Sequence, residues 1–270
     1  MSFDGKKILV FAGTTEGRKF IFSALNRGYC VTASVATEYG EAELKSAIRS
    51  ENPALQIISG RLDRAEIESL LRSPSSHFFA CIDATHPYAA RASENIAAAC
   101  FSVSVPYFRL SRAVRLTTPL PRDSLEFPSM NELCNFLADS EIPCYAEGNI
   151  FVSTGSKEIE LFSKIPDFEN RVVARVLPSS ESIEKCKRAG ISQNRIIAMQ
   201  GPFSKNLNEA IFREFSIKIL VTKESGEAGG FYEKIEAAEV VGIKVLLIKP
   251  PEEKSQIFCE DEVFSLLEKQ

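Results

Sequence analysis

The residues best suited to chemistry lie in one block, Asp83-Ala84-Thr85-His86-Pro87-Tyr88-Ala89-Ala90-Arg91-Ala92-Ser93-Glu94, directly after the apolar run Phe78–Ile82. A strand that ends on a carboxylate and turns into a helix opened by a proline presents polar groups where an open α/β sheet holds its ligand. The first N–H groups of such a helix face an anion, and Thr85, His86 and Tyr88 would stand beside them. Asp83 and Thr85 could equally serve as plain helix caps.

Four further turns carry similar chemistry. Gly13-Thr14-Thr15-Glu16-Gly17 follows the apolar run that ends at Ala12, yet it is not a G-x-G-x-x-G fingerprint. With Gly17 as the third glycine, Ala12 and Thr14 hold the other two positions; a start at Gly13 fails at Thr15 and Arg18. The turn still suits an anion, because Gly13 lets the backbone turn tightly and Thr14, Thr15 and the following helix supply donors. An ordinary turn capped by Thr14 or Thr15 is the alternative.

In the second half, Ser153-Thr154-Gly155-Ser156-Lys157 sets a glycine, three hydroxyls and a cation after a strand, which suits a phosphate. Arg175 lies near the spacing at which a dinucleotide site reads the ribose, and an arginine there favours a 2′-phosphate and hence NADPH. An ion pair or a substrate contact would use the same residue. Gly201-Pro202-Phe203-Ser204 and Lys223-Glu224-Ser225-Gly226 end the next two strands and share that rim, the latter running on to Gly229 and Gly230 as a polar loop.

The elements that must position these groups alternate. Strands are predicted near 7–12, 29–35, 55–58, 78–83 and 104–108, with helices near 15–27, 63–72 and 87–100, which implies right-handed crossovers and a parallel sheet. The polar, proline-rich stretch Thr117–Asp123 reads as a connection. A helix near 130–138 follows, then strands near 150–154, 172–177, 195–199, 217–222 and 243–248, and a terminal helix near 261–269. The fold class is therefore α/β, with two Rossmann-like parallel-sheet domains, 1–113 and 114–270, facing a central cleft. Exchange of a terminal strand between the two sheets stays open.

Composition narrows the function. The chain has 270 residues, 44% hydrophobic and 25% charged, as expected of a globular protein. No apolar run approaches a bilayer crossing and no signal-peptide core follows Met1, so no membrane partner and a cytoplasmic location are expected. A net charge of −4 with no basic stripe argues against nucleic acid. The seven cysteines show no Cys-x-x-Cys spacing and read as reduced, buried thiols. Only His77 and His86 are available as imidazoles, so no histidine-rich metal site is expected.

The Gly-Thr-Thr-Glu turn, the Asp-Ala-Thr-His-Pro-Tyr-Ala block, the Ser153–Glu158 turn, the Gly-Pro-Phe-Ser block and the Lys223–Gly230 loop, in this order, resemble the precorrin-6A reductase family of corrin biosynthesis, including its cobalt-precorrin-6A branch. The resemblance spans about Lys6 to Lys249. It implies reduction of one double bond of precorrin-6A, or of its cobalt complex, to the 6B form by hydride from NADPH or NADH. The implied partner is a tetrapyrrole rimmed with carboxylates, for which Arg109 is a candidate contact together with Arg18, Arg91 and Arg112. The expected arrangement puts the nicotinamide on Ser153, Thr154, Gly155, Ser156, Lys157, Arg175, Gly201, Pro202, Ser204, Lys223, Ser225 and Gly226. The macrocycle would touch Gly13, Thr14, Thr15, Glu16, Asp83, Thr85, His86, Tyr88 and Arg109, and the reverse assignment of the two ligands stays open. Glu224, Lys223 and His86 are the candidate proton donors. An S-adenosylmethionine-dependent methyltransferase of the same pathway and a non-catalytic nucleotide sensor are the rival readings.

Overall fold

The computed structural model describes residues 5–48, 52–73, 77–111, 120–224, 230–251 and 255–269. The chain divides into two compact units, Met1–Ala113 with Pro251–Gln270, and Val114–Pro250. Among the described residues, no helix is long and apolar enough to cross a membrane.

In the first unit β1 (Lys7–Ala12), β2 (Cys30–Val35), β3 (Leu55–Ser59), β4 (Phe78–Ala84) and β5 (Tyr107–Leu110) alternate with α1 (Thr15–Asn26), α2 (Glu38–Ala47), α3 (Arg64–Arg72) and α4 (Ala90–Val103). In the second, β6 (Leu125–Phe127), α5 (Met130–Asp139), α6 (Pro143–Ala146), β7 (Asn149–Val152), α7 (Phe168–Arg171), β8 (Val172–Val176), α8 (Ser180–Arg188), β9 (Ile196–Ala198), α9 (Lys205–Glu214), β10 (Ile217–Lys223), α10 (Phe231–Val241) and β11 (Lys244–Ile248) follow. The chain then adds β12 (Ile257–Phe258) and α11 (Glu260–Glu268) to the first unit.

The two sheets are all parallel and built alike. Their orders are β12-β5-β4-β1-β2-β3 and β6-β11-β10-β7-β8-β9. In each, the strand order reverses beside the central strand, between β1 and β4 in one and between β7 and β10 in the other, which is where such sheets open a ligand crevice. The first unit takes its sixth strand, β12, from the chain beyond the second unit, so the exchange of a terminal strand is realised on that side, while β6 lies within the second unit's own run. The expected second domain 114–270 therefore loses its tail: β12 pairs with β5, Ile257 opposite Arg109 and Phe258 opposite Leu110.

Strands buried on both faces explain the continuous apolar runs. In β1, Ile8 and Val10 pack with α1, α2 and α11, while Leu9 and Phe11 pack with α3 and α4. The ring of Phe264 in α11 stacks on Phe20 of α1 at 4.7 Å. Sequence patterning missed β6, β12 and α2, all short or weakly apolar. It also set the fourth helix to begin at Pro87, whereas α4 begins at Ala90. Pro87 and Tyr88 instead form a turn closed by the Ala89 N–H on the His86 carbonyl at 2.7 Å.

Candidate functional site

At the switch point of the first sheet, β1 and β4 end side by side and their loops touch. The N–H of Gly13 and the hydroxyl of Thr14 both donate to the Ala84 carbonyl, each at 3.1 Å. The Thr14 hydroxyl also accepts the Gly17 N–H at 3.1 Å and so caps α1. Its only proton is committed, which makes Thr14 a fastener of the turn. A side chain on Gly13 would meet the backbone of Thr85 and His86 at 3.3 Å, and one on Gly17 would strike Ala84 at 2.8 Å. Glycine is needed at both positions so that the loops can close on each other.

Beneath these loops lies a buried ionic cluster. Asp83 is 0% and Arg109 1% exposed. The Arg109 guanidinium donates to Asp83 Oδ1 at 3.0 Å and to the Thr85 carbonyl at 3.0 Å. Asp83 Oδ1 also accepts the Thr85 N–H at 2.9 Å and hydroxyl at 2.7 Å, and Asp83 Oδ2 accepts the Tyr107 hydroxyl at 2.9 Å. Burial, and then the Asp83 charge, push the Tyr107 phenol well above its ordinary range. Asp83 and Arg109 were expected to touch a ligand. They are enclosed instead, and their work is to hold the Thr85–His86 backbone. Tyr107 escaped the sequence reading because only the register, Cys81 opposite Tyr107 and Asp83 opposite Arg109, brings it to the carboxylate.

What the first rim presents outward is narrower: exposed Gly13 and His86, with Thr15, Glu16, Thr85 and Tyr88 half-buried. His86 Nδ1 accepts the Tyr88 N–H at 3.3 Å and the two rings lie 5.5 Å apart, so they form one aromatic ledge. Arg18 donates to the Thr15 hydroxyl at 3.2 Å.

The second sheet repeats the fastening. The N–H and hydroxyl of Ser153 donate to the Val221 carbonyl at 3.0 and 3.2 Å. Gly155 adopts φ +82° with open space around it, and Lys157 is exposed. The chain beyond forms a 3₁₀ turn, Ile159–Lys164, and the single turn α7, in place of a long crossover helix. Lys223, leaving β10, pairs with Glu158 at 2.7 Å, which ties the turn after β7 to the end of β10. Glu158 was not singled out in the sequence, although it follows Lys157 directly.

Glu224 is 8% exposed. Burial first, and the Glu126 charge second, raise its carboxyl, with Lys249 pulling the other way. Lys249 itself pairs with Glu126. Gly201 and Pro202 form a cis peptide, and the Ser204 hydroxyl caps α9 by accepting the Leu207 N–H at 3.3 Å. Ser225 and Gly226 lie outside the described residues.

Arg175 lies within β8 and is buried. It is 6% exposed, donates to Asn208 Oδ1 at 2.8 Å and lies 4.0 Å over the Phe203 ring. Its place inside β8 puts it in the core.

Cys81, Cys100, Cys134 and Cys186 are buried, and burial pushes the Cys134 thiol up to about 12. Alkylation of the native protein should therefore label exposed Cys259 first and leave turnover intact, which a rate measured before and after labelling checks. Rapid inactivation that a ligand prevents would contradict this.

Comparison with known proteins agrees with the two-sheet architecture. Residues 7–268 match the family model described as precorrin-6x reductase CbiJ/CobK. The cobalt-precorrin-6A reductase of Priestia megaterium is 32% identical over 246 residues, covering 90% of each chain. That of Methanothermobacter thermautotrophicus is 35% identical over 249 residues, covering 91% of this chain and 76% of its own. The solved structure of a CobK precorrin-6A reductase superposes with a TM-score of 0.74 at 23% identity, covering 98% and 97% of the two chains, and supports the fold. The chain belongs to the precorrin-6x reductase family.

Proposed function

We propose that this protein reduces one double bond of cobalt-precorrin-6A with a reduced nicotinamide as hydride source. The carrying observation is the pair of relatives above 30% identity over nine-tenths of this chain, both named for the cobalt substrate. The nicotinamide dinucleotide takes the rim of the second sheet, where Gly155 opens the turn, Lys157 offers a free-standing charge and the Lys223–Glu158 pair fixes the loop ends. The macrocycle takes the rim of the first sheet, against the His86–Tyr88 ledge and Thr15. Glu224, raised by its surroundings, supplies the proton that complements hydride addition.

One observation favours the reverse assignment. The helix after the first turn, α1, has twelve residues and an N-terminus capped beside exposed Gly13, whereas the second unit has only a 3₁₀ turn at that point. Paired variants decide between them. Lys157→Ala should weaken nicotinamide binding roughly 10- to 100-fold, the worth of a charge-assisted contact, and leave the macrocycle constant unchanged. His86→Ala should raise the apparent macrocycle constant roughly 3- to 10-fold without touching nicotinamide affinity. The opposite pattern would move the nicotinamide to the first sheet.

Turnover is followed as macrocycle-dependent loss of reduced-nicotinamide absorbance, with cobalt and cobalt-free substrate and with NADPH and NADH in turn. A preference for the cobalt-free ring would overturn the substrate proposed here. Binding without turnover would favour a sensor.

A further inference from the structure

The cation at the end of β10 is held by a carboxylate. Lys223 closes β10 opposite Ile248 of β11, and its ammonium donates to Glu158 Oε2 at 2.7 Å. Glu158 stands in the turn that follows β7, and β7 and β10 are the neighbours between which the strand order of this sheet reverses. The pair therefore spans the point where such a sheet opens its ligand crevice.

Glu158 is set in place for this contact. Ile159 and Phe162, which follow it, are 2% and 0% exposed and anchor the 3₁₀ turn Ile159–Lys164 in the core. Glu158 holds the cap position of that turn, yet its side chain makes no capping bond and reaches Lys223 instead. The other charged residues of the segment are turned elsewhere. Lys164 donates to Asn131 and Asn135 at 2.6 and 3.2 Å, and Lys157 and Glu160 are exposed. Closing the two loops does not require the ion pair, because the Ser153 N–H and hydroxyl already fasten them at the Val221 carbonyl.

A carboxylate at this point opposes an anionic ligand. A phosphoryl group drawn to Lys223 would come up beside Glu158, and like charges in contact repel. The pair is also easily parted. Its side chains are 21% and 38% exposed, so water weakens the attraction, and a phosphoryl group brings more charge and more acceptor oxygens than the carboxylate does.

We infer that Glu158 is an exchangeable counter-ion for Lys223, which gives up the ammonium when a phosphoryl group of the dinucleotide arrives. The inference rests on the placement of the dinucleotide proposed above. Glu158 is then a built-in competitor that sets how tightly the second rim holds its ligand, and Lys157 and the Gly155 turn supply the contacts that offset it.

The test is calorimetric titration of the full chain with NADPH and with inorganic pyrophosphate, together with carbon-13 spectra of the glutamate carboxyls. Glu158→Gln frees the ammonium and should bind either ligand roughly 3- to 10-fold more tightly than wild type. Lys223→Met should bind roughly tenfold more weakly. The wild-type Glu158 signal, assigned by its loss in Glu158→Gln, should move on saturation with ligand toward its position in Lys223→Met, where the pair is broken. A pair that serves only structure gives the opposite sign: Glu158→Gln then binds no better than wild type, and that result overturns the exchange. So does a Glu158 signal that stays in place while ligand binds. If Glu158→Gln melts lower than wild type, the movement of the wild-type signal decides alone. Pyrophosphate that follows this pattern while NADPH binds equally to all three proteins would leave the exchange standing and overturn the dinucleotide placement instead.

Discussion

Asp83→Ala should lower the unfolding free energy of the first unit by about 3–5 kcal/mol, the usual cost of removing one partner from a buried ion pair. The reason is the charge left behind. Arg109 is 1% exposed and its guanidinium would face a void, while the Tyr107 hydroxyl and the Thr85 N–H would lose their shared acceptor. Urea unfolding followed by circular dichroism measures the change. A loss below about 1 kcal/mol, the range of an exposed pair, would mean that water reaches the cluster. Asp83→Ala combined with Arg109→Leu should recover part of the stability, since an apolar pair leaves no orphaned charge. Because the cluster holds Thr85 and His86, macrocycle binding should weaken in both variants while nicotinamide binding persists.

Glu224→Gln should depress turnover by roughly two to four orders of magnitude, the range for a positioned general acid, with both ligands still bound. Its buried carboxyl is raised by desolvation and by Glu126, so it retains its proton to higher pH than an exposed glutamate does. An acid of this kind works only while protonated. The wild-type rate should therefore fall as pH rises through its elevated value, and the glutamine variant should lack that limb. Near-normal turnover in Glu224→Gln would assign protonation to Lys223, to His86 or to solvent. Lys223 starts at a disadvantage, since its ammonium is engaged by Glu158 at 2.7 Å.

The alternation of apolar runs and helical stretches made both sheets legible, because strands buried on two faces are long, β-branched and unmistakable in this chain. Two edge strands were not legible. Leu125–Phe127 and Ile257–Phe258 are too short for any period to show, and only their partners β11 and β5 define them. The turns at Gly13, Gly155 and Gly201 follow their strands as expected, because their chemistry is local. The fates of Asp83, Arg109 and Arg175 could not be read the same way. A charged residue within an apolar strand looks the same in sequence whether it points to a ligand or to a buried partner, and cross-strand register decides which.

The out-of-order sixth strands bear on how this protein is made. While the ribosome is still adding the second unit, the first has an open β5 edge and lacks the Val263, Phe264 and Leu267 side chains that fill its core beside α1. At roughly 5–20 residues per second, that interval lasts about ten to thirty seconds. The nascent first unit must persist through it with an unpaired strand, a natural template for mispairing. The second unit has no such wait, because its edge strand β6 emerges ahead of the rest of that unit. The half made first is thus the half finished last.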